Sequence, residues 1–141
     1  MYERVPETTY EEYDIFVERP TELKKLSDMQ GWHLEEGEPD ICGWDLVAED
    51  NPNDVIGKID DLMVSPEAGA AVMALVSFGG FWGMGEKHTL VPLDRIGVEP
   101  KTDDHDDRTV FMGNRDDLKN APDYHGDMED LGVFYDYWQG K

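Results

Sequence analysis

Residues 71–78 read AVMALVSF, apolar at nearly every position, and this run constrains the fold more than any other stretch. Side chains of a strand alternate between two faces, so a strand apolar on both needs cover on both. The expected cover is a closed barrel on one side, and on the other a further element or a second subunit. The flanking sequence reads as strand as well. Apolar residues alternate over 55–64 and 88–93, and the turn formers Ser65-Pro66-Glu67-Ala68-Gly69 join 55–64 to 71–78 in a hairpin. The connection on the far side, Gly79-Gly80-Phe81-Trp82-Gly83-Met84-Gly85, sets three large apolar side chains among glycines. Connections are normally polar. This one is expected either to plug one end of the barrel or to offer an apolar patch to a partner.

Around that centre the chain divides into an acidic N-terminal arm (residues 1–40), a β domain (41–124) and a helical, aromatic tail (125–141). The arm carries Tyr2, Tyr10, Tyr13 and Phe16 between Pro6 and Pro20, with a short edge strand over 14–18. Residues 21–30 are expected to form one short helix, capped by Thr21, sharing a face through Leu23, Leu26 and Met29 or Gln30, and stopped by Gly31. Its capping box is incomplete, because Lys24 stands where Glu or Gln belongs. Strand 41–48 is expected to point Trp44, Leu46 and Ala48 one way and Asp45 and Val47 the other. The turn cluster 50–54 then reverses the chain into Val55. Pro92 ends its strand or lies at an edge. Short strands follow at 94–98 and 109–112, a helical turn at 116–120 stopped by Pro122, and a helix over 127–138 with Met128, Leu131, Phe134 or Tyr135, and Trp138 on one face. Gly132 weakens that helix by roughly 1 kcal/mol relative to Ala. The expected class is mainly β, five or six short antiparallel strands with small helices at both ends.

Charge narrows the function. Twelve Lys and Arg stand against 33 Asp and Glu, a formal net charge of −21. A chain so acidic repels phosphate backbones and anionic lipid, which argues against nucleic-acid and membrane-surface binding. It suits a basic protein partner, bound cations, plain solubility or a high-salt cytoplasm. Cys42 is the single cysteine, with no CxxC or Cys/His cluster for metal or redox work, and reads as a small half-buried residue. A lone cysteine and the lack of any apolar run near the ~18–20 residues of a membrane helix point to a cytoplasmic protein.

Four groups of residues are candidates for chemistry. Asp60 and Asp61 are neighbours on a strand and point to opposite faces, so a shared acid/base site is not expected. His88 has no serine or cysteine nucleophile at a recognisable offset, and is expected to pack at a strand start against Glu86 or a backbone carbonyl. An enzymatic reading would have to assemble His88, Asp60 and Asp94, and no spacing demands it. Asp103, Asp104, His105, Asp106 and Asp107 could gather a cation, but they lack calcium-loop spacing and read more simply as a solvated turn. Phe81, Trp82 and Met84, with Met73 and Leu75 of the two-faced strand, are the expected partner-binding residues, since Trp and Met are enriched in interface cores.

Several of these stretches resemble one family. Gly43-Trp44-Asp45-Leu46-Val47, Ile56-Gly57-Lys58-Ile59-Asp60-Asp61-Leu62-Met63-Val64, the stretch from Gly79 to His88, Val91-Pro92-Leu93-Asp94 and the ending Leu118-Lys119-Asn120-Ala121-Pro122 follow, in order and spacing, the PRC-barrel family. That family includes the cytoplasmic domain of the photosynthetic reaction centre H subunit, the C-terminal domain of a small-subunit ribosome maturation factor, and free-standing proteins, which this chain is most similar to. The resemblance covers about residues 41–124. It implies a small, partly open antiparallel β-barrel that holds other macromolecules and does no catalysis. The chain departs from the first two by lacking a membrane anchor and a partner N-terminal domain. The resulting expectation is a cytoplasmic, non-enzymatic adaptor or scaffold, a homodimer without cofactor. The alternative is a cation- or small-ligand-binding protein of stress-response type, using the acidic surface or the barrel mouth.

Overall fold

A computed structural model of the chain describes residues 22–29, 40–79, 86–126 and 131–141. Its backbone is one seven-stranded sheet: β1 (Lys24–Lys25), β2 (Asp45–Ala48), β3 (Asn51–Ser65), β4 (Ala70–Gly79), β5 (Glu86–Pro92), β6 (Ile96–Glu99) and β7 (Arg108–Phe111). Two short helices follow, α1 (Arg115–Lys119) and α2 (Leu131–Gln139). The strand order is β5-β4-β3-β2-β7-β6, with β1 also on β3. β5 and β6 end the path without pairing, so the barrel is partly open. All pairs are antiparallel except β2 and β7, which run parallel from Asp45↔Arg108 to Ala48↔Phe111. That one parallel pair departs from the expected all-antiparallel sheet, because the chain returns to β2 only after crossing through β4, β5 and β6.

β3 is the hub. One edge pairs with β2 over residues 51–58 and with β1 at Met63 and Val64, while the other pairs with β4 from Gly57 to Ser65. Two irregularities interrupt the β3–β4 ladder. Ile59 faces Val76 and Asp61 faces Leu75, which leaves Asp60 as an extra residue on β3; Met63 faces Met73 and Val64 faces Ala71, which leaves Val72 extra on β4. Such bulges bend the strand and re-aim side chains. The hairpin turn is tied by Ser65, whose hydroxyl accepts from Ala68 N–H and whose carbonyl accepts from Gly69 N–H. Gly69 takes φ +67°, the left-handed conformation that favours glycine.

The two-faced strand is covered on both sides. Ala71, Ala74 and Val76 enter the inner core with Ile41, Leu46, Ile59, Leu62, Val91, Ile96, Phe111 and Trp138. Val72, Met73 and Leu75 enter an outer cluster with Leu23, Met63, Leu90, Tyr124, Leu131, Phe134 and Tyr135. The second cover is therefore built by segments flanking the sheet in the same chain. Trp138 fastens it: its indole N–H donates to Leu90 O at 2.8 Å, its own carbonyl accepts from Arg95 at 3.0 Å, and its ring meets Phe111 edge-on at 5.9 Å. The edge of β5 is closed by the segment after α1, through Tyr124 N–H to His88 O and the Thr89 hydroxyl to Pro122 O. Among the described residues no helix is long and apolar enough to cross a membrane.

Three local expectations are corrected. The described part of 21–30 is not an α-helix; it is β1 followed by a 3-10 turn over Leu26–Asp28. Leu23 is drawn into the outer cluster, and Lys24 and Lys25 pair with Val64 and Met63, so tertiary pairing overrides a weak helical pattern. The chain reverses at Glu49–Asp50, not over 50–54, and β3 starts at Asn51 opposite Ala48. In β2, Leu46, Val47 and Ala48 are all buried, because the register slips on both sides of Val47 and breaks the expected alternation. The remaining strands, the turn helix and the described part of the C-terminal helix lie where expected to within a few residues. The edge strand expected at 14–18, and Met128, lie outside the described residues.

Gly57 and Gly97 give a contrast that tests this register. A Cβ on Gly57 would stand 2.6 Å from Ser77 O of the neighbouring strand, while one on Gly97 meets nothing nearer than the Met112 sulfur at 3.5 Å. Gly57→Ala is expected to lower stability in urea titration by about 1–3 kcal/mol, and Gly97→Ala by less than about 0.5 kcal/mol. Trp138→Ala, which empties a fully buried site, is expected to cost about 3–5 kcal/mol in the same measurement.

Candidate functional site

At the end of β4 the sheet forms a step. β4 pairs with β3 only as far as Phe78 opposite Gly57, while β3 runs on to Asn51, and Gly79, the last residue of β4, takes φ +91° opposite Glu86 of β5. The step is an open groove of about 290 Å3. Val55, Ile56 and Phe78 give it apolar walls, and Lys58, Asp60, Ser77 and Glu86 its polar groups. Val55 is 52% exposed, the most exposed large apolar side chain among the described residues. The strand start beside the groove is braced by Arg115 of α1, which donates to Asp50 at 2.8 Å and to Asp54. The Arg115 hydrogen bond and charge hold the Asp50 carboxyl below its ordinary range, and both carboxylates raise the guanidinium in turn.

Asp60, the extra residue of the bulge, forms the middle of a polar cluster. Its Oδ1 accepts from the Ser77 hydroxyl at 3.0 Å, and its Oδ2 faces His88 Nε2 at 3.6 Å. Ser77 and His88 stand opposite each other on β4 and β5, and Ser77 is buried. Serine, aspartate and histidine thus meet, but in the wrong order for nucleophilic catalysis. A serine nucleophile needs the histidine as its base and the aspartate behind it, whereas here the aspartate lies between the two. Asp94 sits in a 3-10 turn at the opposite end of β5. The cluster is a positioned carboxylate.

The bulge breaks strict alternation here: Ile59 and Leu62, three residues apart, both enter the inner core. Asp61 still has a different environment. It is buried, accepting from the Ser27 hydroxyl at 2.5 Å and from Leu62 N–H at 2.9 Å, with the Cys42 sulfur 3.9 Å away. It ties the 3-10 turn and the start of the β domain to the centre of β3. Cys42 is half-buried beside it, and its thiol is pushed up to about 12, by burial first and then by a hydrogen bond to Asp40 and the charges of Asp40 and Asp61.

The other candidates separate. Within the acidic turn, Asp107 accepts from Lys101 N–H, Asp104 N–H donates to the Thr102 hydroxyl, and His105 Nδ1 contacts Asp106 O. These bonds shape a turn. Among the described residues no three His, Cys, Asp or Glu side chains converge as metal ligands. Met73 and Leu75 are buried under α2, so their contact with a partner would require that layer to lift. Phe81, Trp82 and Met84 lie outside the described residues, but the chain enters and leaves their segment at Gly79 and Glu86, both on the groove. His88 faces Asp60, not Glu86. Sequence reasoning missed Ser77, whose signal is that it is the one polar residue in the apolar run 71–78. It also missed the bulge, which no residue type in β3 announces.

The model of the PRC-barrel domain matches residues 35–118, more than half of the chain. No functionally curated protein matches it.

The two aspartates and the cysteine should respond in distinct ways. Asp61→Ala leaves the buried Leu62 N–H without its acceptor and is expected to cost about 1–3 kcal/mol in urea unfolding, while Asp60→Ala, which strands the buried Ser77 hydroxyl beside the open groove, costs about 1 kcal/mol. With burial and the neighbouring carboxylates pushing its thiol up to about 12, Cys42 should react with a disulfide reagent near pH 8 at least about tenfold slower in the folded chain than in urea.

Proposed function

The chain belongs to the PRC-barrel family, and from that membership we propose that it is a non-enzymatic adaptor, working by protein–protein contact at the step where β4 ends. The observation that carries this reading is the coincidence of two features at one end of the sheet. The groove with exposed Val55 and the wall Phe78 lies there, and the connection containing Phe81, Trp82 and Met84 springs from the same edge. Glycines on either side let such a connection remodel on contact, and aromatic and Met side chains supply most of the energy in interface cores. The arrangement Ser77–Asp60–His88 supports the non-enzymatic part, since it offers no activated nucleophile. A cation-binding role for residues 103–107 gains no comparable support, because among the described residues no three side chains converge there as metal ligands.

The same proposal includes self-association as a homodimer in the cytoplasm. Two chains that each carry −21 repel one another, so a dimer of this protein forms against its own charge. Light scattering is therefore expected to give a larger dimer fraction near 1 M salt than near 0.05 M, where screening is weak. A monomer at every salt and protein concentration would remove the dimer from the proposal.

The adaptor reading is tested by capture from lysate on the full chain beside a Phe81→Ser/Trp82→Ser variant, with retained proteins identified by mass spectrometry. The expected outcome is a stoichiometric partner held by the parent chain and lost from the variant, whose thermal unfolding midpoint stays within about 3 °C of the parent. A partner held equally by both would sink the assignment to this end of the sheet.

A further inference from the structure

From the groove we infer a more specific role for Asp60: it is the receptor for one arginine or lysine side chain of a protein partner, whose aliphatic stem lies on Val55, Ile56 and Phe78. The inference rests on the adaptor reading and names the chemistry of the partner. Four observations lead to it. The β3 bulge inserts Asp60 as an unpaired residue and turns its carboxylate into the groove. The buried Ser77 hydroxyl fixes Oδ1 at 3.0 Å, so the carboxylate is held in one orientation before any partner arrives. Oδ2 accepts no hydrogen bond from a described residue; the nearest donor, His88 Nε2, is 3.6 Å away, beyond hydrogen-bond range. The walls beside it are apolar and the opening is wide.

A half-satisfied carboxylate on an apolar-walled groove matches a cation on an alkyl stem. Arg and Lys lay their methylene chains along apolar surface and keep the charge at the tip, and a guanidinium gives a carboxylate a charge-assisted hydrogen bond. The net charge of −21 selects the same sign and draws a basic partner toward the surface. An anionic side chain would meet Asp60 and Glu86 against Lys58, the single cation among the described residues of the groove lining. A metal ion would find too few ligands, since no three converge among the described residues. A free small amine would bury little of itself in an open groove of this size, whereas a side chain presented by a protein is held by the contacts around it.

The test titrates the full-length chain with a capped five-residue peptide bearing one arginine between two leucines, followed by amide NMR shifts. Its twin with neutral citrulline and free agmatine serve as comparisons. The arginine peptide is expected to saturate one site with a Kd on the order of 1 mM, shifting the amides around Asp60, Ser77 and Phe78. The citrulline peptide should bind about tenfold or more weaker, and Asp60→Asn should lose about the same factor, while Asp104→Asn in the exposed turn changes affinity less than about twofold. Equal losses in Asp60→Asn and Asp104→Asn would reduce the effect to general acidity and overturn the inference. So would equal binding of the citrulline peptide, or agmatine binding as tightly as the peptide. Lysate capture separates the two levels: an unchanged partner on Asp60→Asn removes the receptor and leaves the adaptor, whereas no partner on the parent chain removes the adaptor itself.

Discussion

Burial of β4 on both faces is the constraint from which the rest of the structure follows. A strand with Ala74 and Val76 on one side and Met73 and Leu75 on the other cannot lie on a half-solvated sheet. The inner side is met by curling the sheet, which the long, bulged β3 makes feasible. The outer side is met by pieces from both flanks of the sheet, Leu23 before it and Tyr124 and α2 after it. Trp138 couples the layers, because it belongs to the inner core while its indole bonds to β5 and its carbonyl to Arg95. Removing the outer layer would expose a contiguous apolar face, so these segments are as much part of the core as the strands they cover.

The bulge at Asp60 shows how one extra residue separates two chemically identical side chains. Without it, β3 would pair continuously with β4, and residue 60 would have an opposite number in the ladder. With it, Asp60 turns into the groove at the sheet's step while Asp61 returns to register opposite Leu75 and is buried on Ser27 and Leu62. One carboxylate becomes a tie between the N-terminal turn and the hub strand; the other is held by Ser77 with an oxygen facing outward. Buried polar groups are tolerated when their bonds are made, and Asp61 meets that condition with protein donors alone.

Much of this architecture is legible in the chain because it rests on periodicity and turn chemistry, which are local. The two-faced run, the Ser65–Gly69 turn, the strands on either side and the aromatic spacing of the final helix all carry their signal in neighbouring residues. The losses are non-local. Lys24 and Lys25 become a strand only because Met63 and Val64 offer an edge, and Leu23 is buried by groups more than thirty positions away. The parallel pairing of β2 with β7 depends on the whole intervening path. At the site, the separation of Asp60 from Asp61 by the bulge and the approach of Ser77 and His88 to Asp60 both need the β3–β4–β5 register, which no single segment contains. The nucleophile sought at a sequence offset from His88 was across the ladder, and in an order that does not activate it.

The distribution of charge assigns different tasks to the acidic surface and to the groove. Several of the few cations are engaged within the chain: Arg115 on Asp50 and Asp54, Arg108 on Glu99, Lys87 on Asp123, Arg95 on the Trp138 carbonyl. They brace the points where the chain returns to the sheet and leave the acidic excess spread over the exterior. A diffuse field of that kind accelerates encounter with a basic partner and fades with salt, but it cannot distinguish one basic partner from another. Discrimination requires a fixed group with defined neighbours. Asp60 has that character and Asp103–Asp107 do not, since one is set by a bulge and a buried hydroxyl and the others by an exposed turn. In the proposed adaptor role, then, affinity that falls with salt would report the surface, and selectivity that survives at high salt would report the groove.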